Sequence, residues 1–133
     1  MVSEAIHADA ERPVLRPAAA RTWLLAEALA LGTASAVHAG RLVPGFAHAQ
    51  ARTAEAVIAL VLVGAAAASW LRPAWTRWFA IRAQGFALLG TLVGLFTIAI
   101  GIGPQTVPDV AYHLVLLAAL AAGLVVAVRC RAG

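Results

Sequence analysis

The chain has 133 residues, of which 62% are apolar and only 12% charged, with a mean hydropathy of +0.87. Such a composition excludes an ordinary water-soluble domain, whose apolar residues would be confined to one stripe of each helix or one face of each strand. The formal charge of +4 comes from arginines with no lysine, set at the ends of apolar segments, which suits membrane orientation and not nucleic-acid binding; a lone Cys130 excludes an intrachain disulfide and a multi-cysteine zinc site.

Residues 1–21 mix Glu4, Asp9, Glu11, Arg12, Arg16 and Arg21 with Pro13 and Pro17, and predict a polar arm lying outside the membrane. Four apolar segments follow, at about 22–40, 53–71, 78–102 and 107–128, with a short tail at 130–133. At ~1.5 Å per helical residue each can cross a hydrocarbon layer of ~30 Å. The first is interrupted by Glu27 and His38, and the second carries Glu55 near its start and stops at Arg72 and Pro73. From Gly85 to Ile102 the third has no charge at all. Thr106, with Asp109 three residues on, has the spacing of a capping box at the start of the fourth. The small residues at 34–36 also resemble a signal-peptide cleavage site, but a long, partly acidic leading segment and Glu27 within the apolar run argue for a retained span.

The expected fold is therefore all-α: a four-helix transmembrane bundle, up-down and antiparallel, with the domain running over 22–129. An even number of crossings puts both termini on one side. Eight arginines (Arg12, Arg16, Arg21, Arg72, Arg77, Arg82, Arg129 and Arg131) fall on that side and two (Arg41 and Arg52) on the other, so both termini are expected to be cytoplasmic and the protein to reside in the inner membrane. Trp23, Trp70, Trp75 and Trp78 all map to the same boundary, where indoles favour headgroups. Gly90 and Gly94 in the third segment have GxxxG spacing; packing within the bundle is the expectation, and a homo-oligomer face the alternative.

Ionisable groups inside a membrane are costly and mark candidate sites. His38, Glu55 and His113 come out at similar depth toward the outer surface, with Asp109 one turn before His113 so that its carboxylate can accept from the imidazole. Two histidines and a carboxylate on separate helices suggest a polar site for a quinone, a lipid-like molecule, haem or a metal ion. The competing structural reading assigns Glu55 and Asp109 to helix N-termini and His38 to a C-terminus. Nearer the inner surface, Glu27 and Arg82 are expected to form an ion pair, with Gln84 at similar depth.

Three segments, AEAVIALVLVGAAA at 54–67, AQGFALLGTLVGLF at 83–96 and GIGPQTVPDVAYHLVLLAALAAGL at 101–124, resemble stretches of uncharacterised bacterial four-helix membrane proteins and, loosely, the DoxX-like group. That resemblance implies a four-helix membrane architecture and an association with redox or quinone chemistry; no DoxX cofactor motif matches residue by residue. LLAEALALGT at 24–33 is similar to the first helix of small multidrug-resistance transporters, which would make Glu27 a proton and substrate site, although the third segment lacks that family's aromatic substrate box. The sequence also has no GxSxG and no P-loop. The expectation is thus a non-enzymatic or accessory membrane subunit whose polar outer layer binds a small redox or lipid-like ligand or a partner subunit, with a proton-coupled transporter using Glu27 as the alternative.

Overall fold

A computed structural model describes residues 15–130. It is all-helical: α1 (Pro17–His38), α2 (Ala49–Leu71), a short 3₁₀ turn (Pro73–Trp75), α3 (Thr76–Ala99) and α4 (Val107–Arg129). Most of the expected polar arm lies outside the described residues, but 17–21 are helical. Pro17 begins α1 because its fixed φ suits a first helical residue and its missing N–H has no helical partner to lose there. Likewise α2 begins four residues earlier than Thr53, at Ala49, since the His48 ring nitrogen accepts from Ala51 N–H at 3.2 Å. The Thr106 hydroxyl caps α4 by accepting from Asp109 N–H at 3.3 Å, as its spacing predicts. Gly40 (φ +70°) and Gly101 (φ +83°) supply the left-handed turns that follow α1 and α3.

Consecutive helices pack side by side, and α1 also touches α3 and α4. The first and last described residues meet: Leu15 N–H donates to Arg129 carbonyl at 2.9 Å and Cys130 Sγ approaches Arg16 carbonyl at 3.4 Å. Both chain ends thus leave from one end of the bundle.

The inward residues of α4 are Asp109, His113, Leu116, Leu120, Gly123 and Ala127. Their alternating steps of four and three are those of helices packed at shallow left-handed angles. Leu24, Leu31, Leu62 and Leu120 are fully buried among many alanines. The outside is strongly apolar: Leu29 is 73% and Leu60 71% exposed, whereas the charged residues Glu27 and Glu55 are 5% and 4% exposed. A bundle with leucines outside and carboxylates inside is arranged for an apolar surround. The helices at Ala49–Leu71, Pro73–Ala99 and Val107–Arg129 are long and apolar enough to cross a membrane. With 22 residues α1 is close to them in length, but Arg21, Glu27 and His38 make it less apolar, and it touches all three others, as α3 does.

Two close approaches fix the helix positions. Trp23 of α1 donates its indole N–H to Ala119 carbonyl of α4 at 3.1 Å, so it faces inward, unlike the exposed Trp70, Trp75 and Trp78. A Cβ on Gly123 would lie 2.2 Å from Trp23 Cδ1 and 2.4 Å from Gln84 Nε2, so α4 can approach α1 and α3 here only as glycine. By contrast, a Cβ on Gly64 meets nothing within 4 Å. Gly123→Ala is expected to destabilise the bundle by about 1–3 kcal/mol through overpacking, and Gly64→Ala to be neutral or slightly stabilising. Thermal unfolding of the two variants in the same detergent checks the contrast, and equal midpoints would contradict it.

Candidate functional site

At the end of the bundle opposite the chain termini, three helices converge on His38. It is the last residue of α1, and the chain turns back so that His48 N–H donates to His38 carbonyl at 2.9 Å. The ring is 3% exposed. Its Nδ1 lies 2.8 Å from Glu55 Oε2 on α2, and its Nε2 lies 3.0 Å from Asp109 Oδ1 on α4. One imidazole therefore bridges two carboxylates from two other helices. The second oxygen of Asp109 accepts from the Thr106 hydroxyl. The second oxygen of Glu55, Oε1, is buried with no hydrogen-bond partner.

This geometry corrects two expectations about the outer layer. His113 does not bond the Asp109 carboxylate; its Nδ1 donates instead to the Asp109 backbone carbonyl at 2.7 Å, because the carboxylate is already turned toward His38. Nor does Glu55 sit in the first turn of its helix: with α2 starting at Ala49 it is nearly two turns in, too far for the helix N-terminus to account for it. His38 joins Glu55 and Asp109 directly, and His113 reaches the same group through the Asp109 backbone carbonyl.

Beside this chain of groups is a cavity of about 220 Å³. Leu31, Ile58, Val93 and Leu116 form part of its apolar wall, and His48, Glu55, Tyr112 and His113 its polar lining. Tyr112 OH, like Glu55 Oε1, is buried without a partner. A more open cleft lies on the other side, lined by His38, Asp109, Phe46 and Tyr112 among others. Gly90 and Gly94 also border the cavity. A Cβ on Gly90 would meet Ile58 Cδ1 at 2.6 Å, and one on Gly94 would meet His113 Nε2 at 3.1 Å, so the GxxxG pair makes room for α2 and α4 of the same chain.

A metal or haem finds less support in this geometry than the sequence suggests. Both nitrogens of His38 face carboxylates, leaving neither for iron. Among the described residues no group of three or more His, Cys, Asp or Glu is placed to hold a metal ion.

Near the other end, Glu27 is not paired with Arg82. Gln84 of α3 donates to Glu27 Oε2, and both side chains are buried. Arg82 is exposed, with its guanidinium 4.8 Å from the centre of the Trp78 ring. A long arginine near a helix end can reach the interface, and stacking on an indole there is favourable without burying a charge. Glu27 lines neither the cavity nor the cleft. Sequence reasoning also treated Arg21 only as an orientation charge. It donates to Ser69 Oγ (3.0 Å), to Ser69 carbonyl (2.7 Å) and to Thr76 Oγ1 (3.3 Å), tying α1 to the last turn of α2 and the first of α3. The arginine's position before an apolar run gave no sign of this; the partners lie about fifty residues away in sequence.

No protein-family model matches the chain, and no curated protein or solved structure is significantly similar to it.

Removing His38 strands two buried carboxylates. His38→Leu is expected to cost about 3–5 kcal/mol, the range for breaking a buried charge pair. Neutralising both partners as well, with Glu55→Gln and Asp109→Asn, should recover more than half of that loss. Unfolding midpoints of the single and triple variants test this, and a triple variant less stable than His38→Leu would contradict the assignment.

Proposed function

We propose that this protein is a four-span inner-membrane protein with both termini cytoplasmic, and that it binds a small amphipathic molecule in the cavity at the outer ends of its helices. The observation that carries the reading is the pairing of an apolar cavity of about 220 Å³ with two buried, unpartnered oxygens, Glu55 Oε1 and Tyr112 OH, on residues that line it. Buried polar groups are ordinarily satisfied, and of the four such oxygens without a partner among the described residues these two face a cavity that a bound molecule could fill, whereas Glu27 Oε1 and Gln84 Oε1 do not line it. A concave apolar site with a few convergent polar groups is the usual form of a small-molecule site.

The membrane reading rests on the apolar exterior, the three strongly apolar helices and the arginine distribution. In it α1 is the fourth span, its ionisable groups covered by the other helices. The loose DoxX-like resemblance makes a quinone-like molecule one member of the ligand class, and an accessory role within a larger membrane complex is compatible with a binding site of this size. The geometry around Glu27 gives a transport site there less support: its Oε2 is held by Gln84, and although its Oε1 is unpartnered it lines neither the cavity nor the cleft.

Two measurements test the proposal. A fluorescent protein that matures only in the cytoplasm, fused after Gly133, is expected to fluoresce, and a periplasm-dependent phosphatase at the same place to be inactive; the reverse pattern overturns the orientation. Phenol titrated into the purified protein is expected to raise the unfolding midpoint saturably, by the linkage of binding to stability. Thr91→Phe, which places a ring on the cavity wall, should weaken that response. An unsaturable response, or one unchanged in the variant, would argue against a ligand cavity.

A further inference from the structure

The proton count of the His38 chain constrains what the cavity can hold. Each of its two N···O contacts, at 2.8 Å and 3.0 Å, requires one proton between nitrogen and oxygen. A neutral imidazole supplies one of those protons, and one more must be present. That second proton can sit on the ring, giving an imidazolium between two carboxylates, or on one carboxyl group. With that minimum of two protons, wherever they sit, the three side chains together carry one negative charge.

The surroundings determine where that charge is least well compensated. Asp109 has the Thr106 hydroxyl as a second donor, whereas Glu55 Oε1 has none. No arginine lines the cavity; Arg41 and Arg52 line a separate outer groove. The other titratable groups facing the chain are His48, Tyr112 and His113, and α3 contributes only glycine, apolar residues and threonine to the cavity wall. His113 gives its Nδ1 proton to a backbone carbonyl, and no carboxylate oxygen lies within salt-bridge distance of its ring among the described residues. The free polar atoms on this wall include the acceptors Glu55 Oε1 and His113 Nε2 beside the Tyr112 hydroxyl and the Gln50 amide, which can both donate and accept, and none of them carries a fixed positive charge.

Building on the ligand-cavity reading, we propose that the cavity selects a small organic monocation, a protonated amine on an apolar or aromatic body, with Glu55 as its anionic partner. The ammonium supplies the positive charge and the donors that the buried chain lacks, and the apolar walls receive the body of the molecule. At about 220 Å³ the space exceeds the ~150 Å³ cavity known to admit benzene. A single ring bearing a short aminomethyl arm is therefore the appropriate probe size.

The test compares benzylammonium with benzyl alcohol, a neutral donor of nearly the same shape, by equilibrium binding at neutral pH to the full-length protein in zwitterionic nanodiscs. Benzylammonium is expected to bind about tenfold more tightly or better, the size of effect a charge-assisted hydrogen bond gives. Glu55→Gln keeps an acceptor toward His38 but removes the charge, and should abolish the preference; Glu27→Gln should retain it. Glu55→Met, uncharged and of similar size, removes the charge without an amide and serves if Glu55→Gln fails to fold. Equal binding of the two probes overturns the charge assignment while leaving a neutral-ligand cavity standing. Binding of neither overturns both readings. A preference that survives Glu55→Gln or Glu55→Met places the cation elsewhere and overturns the proposal.

Discussion

An imidazole held between two carboxylates is the interaction around which one end of this bundle, the end away from Leu15 and Cys130, is organised. Alone, a buried carboxylate in an apolar surround carries a desolvation cost that neither Glu55 nor Asp109 could meet through its own helix. His38 offers two nitrogens on opposite sides of one rigid ring, so a single residue of α1 can satisfy a group on α2 and another on α4. The contact sets the rotation of three helices at once, because turning any of them by one residue would carry its partner about 100° away from the ring. It also explains why the turn after α1 is tight: Gly40 reverses the chain and His48 bonds back to His38, leaving the imidazole enclosed.

Near the termini, packing takes over from charge. Trp23, Gln84 and Gly123 meet where α1, α3 and α4 approach closely, and a neutral amide bonds one oxygen of Glu27 while its Oε1 is left without a partner. Arg21 spans α1, α2 and α3 through hydroxyl and carbonyl oxygens. In an apolar solvent helices gain little from hydrophobic association, so small residues and interhelical hydrogen bonds must supply the specificity. The structure uses both at each end of the bundle: Gly123 with Trp23, Gln84 and Arg21 near the termini, Gly90 and Gly94 with His38 at the other end. The cavity lies at the ionised end, where the glycines of α3 leave space and the side chains of α2 and α4 leave it only partly filled.

Much of the architecture was legible because the membrane imposes a strong one-dimensional signal. Apolar lengths located four helices, and depth along each span grouped His38, Glu55, Asp109 and His113 before any contact was known. What depth cannot supply is rotation about the helix axis. That is why His113 was assigned to the Asp109 carboxylate when the side chain points to His38, and why Glu27 was assigned to Arg82 when the donor is Gln84, two residues farther on. Helix starts fall earlier than the apolar runs for a local reason: Pro17 reads as an interruption and the apolar run begins only at Thr53, whereas Pro17 is a first helical residue and the second helix is capped earlier, by His48. The roles of Gly123 and Arg21 depend on tertiary approach and leave no pattern in the chain.

The account stands or falls on the simultaneous contact of one ring with two carboxylates. Solid-state NMR of the lipid-reconstituted protein, with labelled histidine nitrogens and labelled Glu and Asp carboxyl carbons, measures it directly. The structure predicts short dipolar contacts from His38 Nδ1 to the Glu55 carboxyl and from His38 Nε2 to the Asp109 carboxyl in the same molecule. A ring that contacts only one carboxyl group, or neither, would contradict the arrangement and the charge count drawn from it.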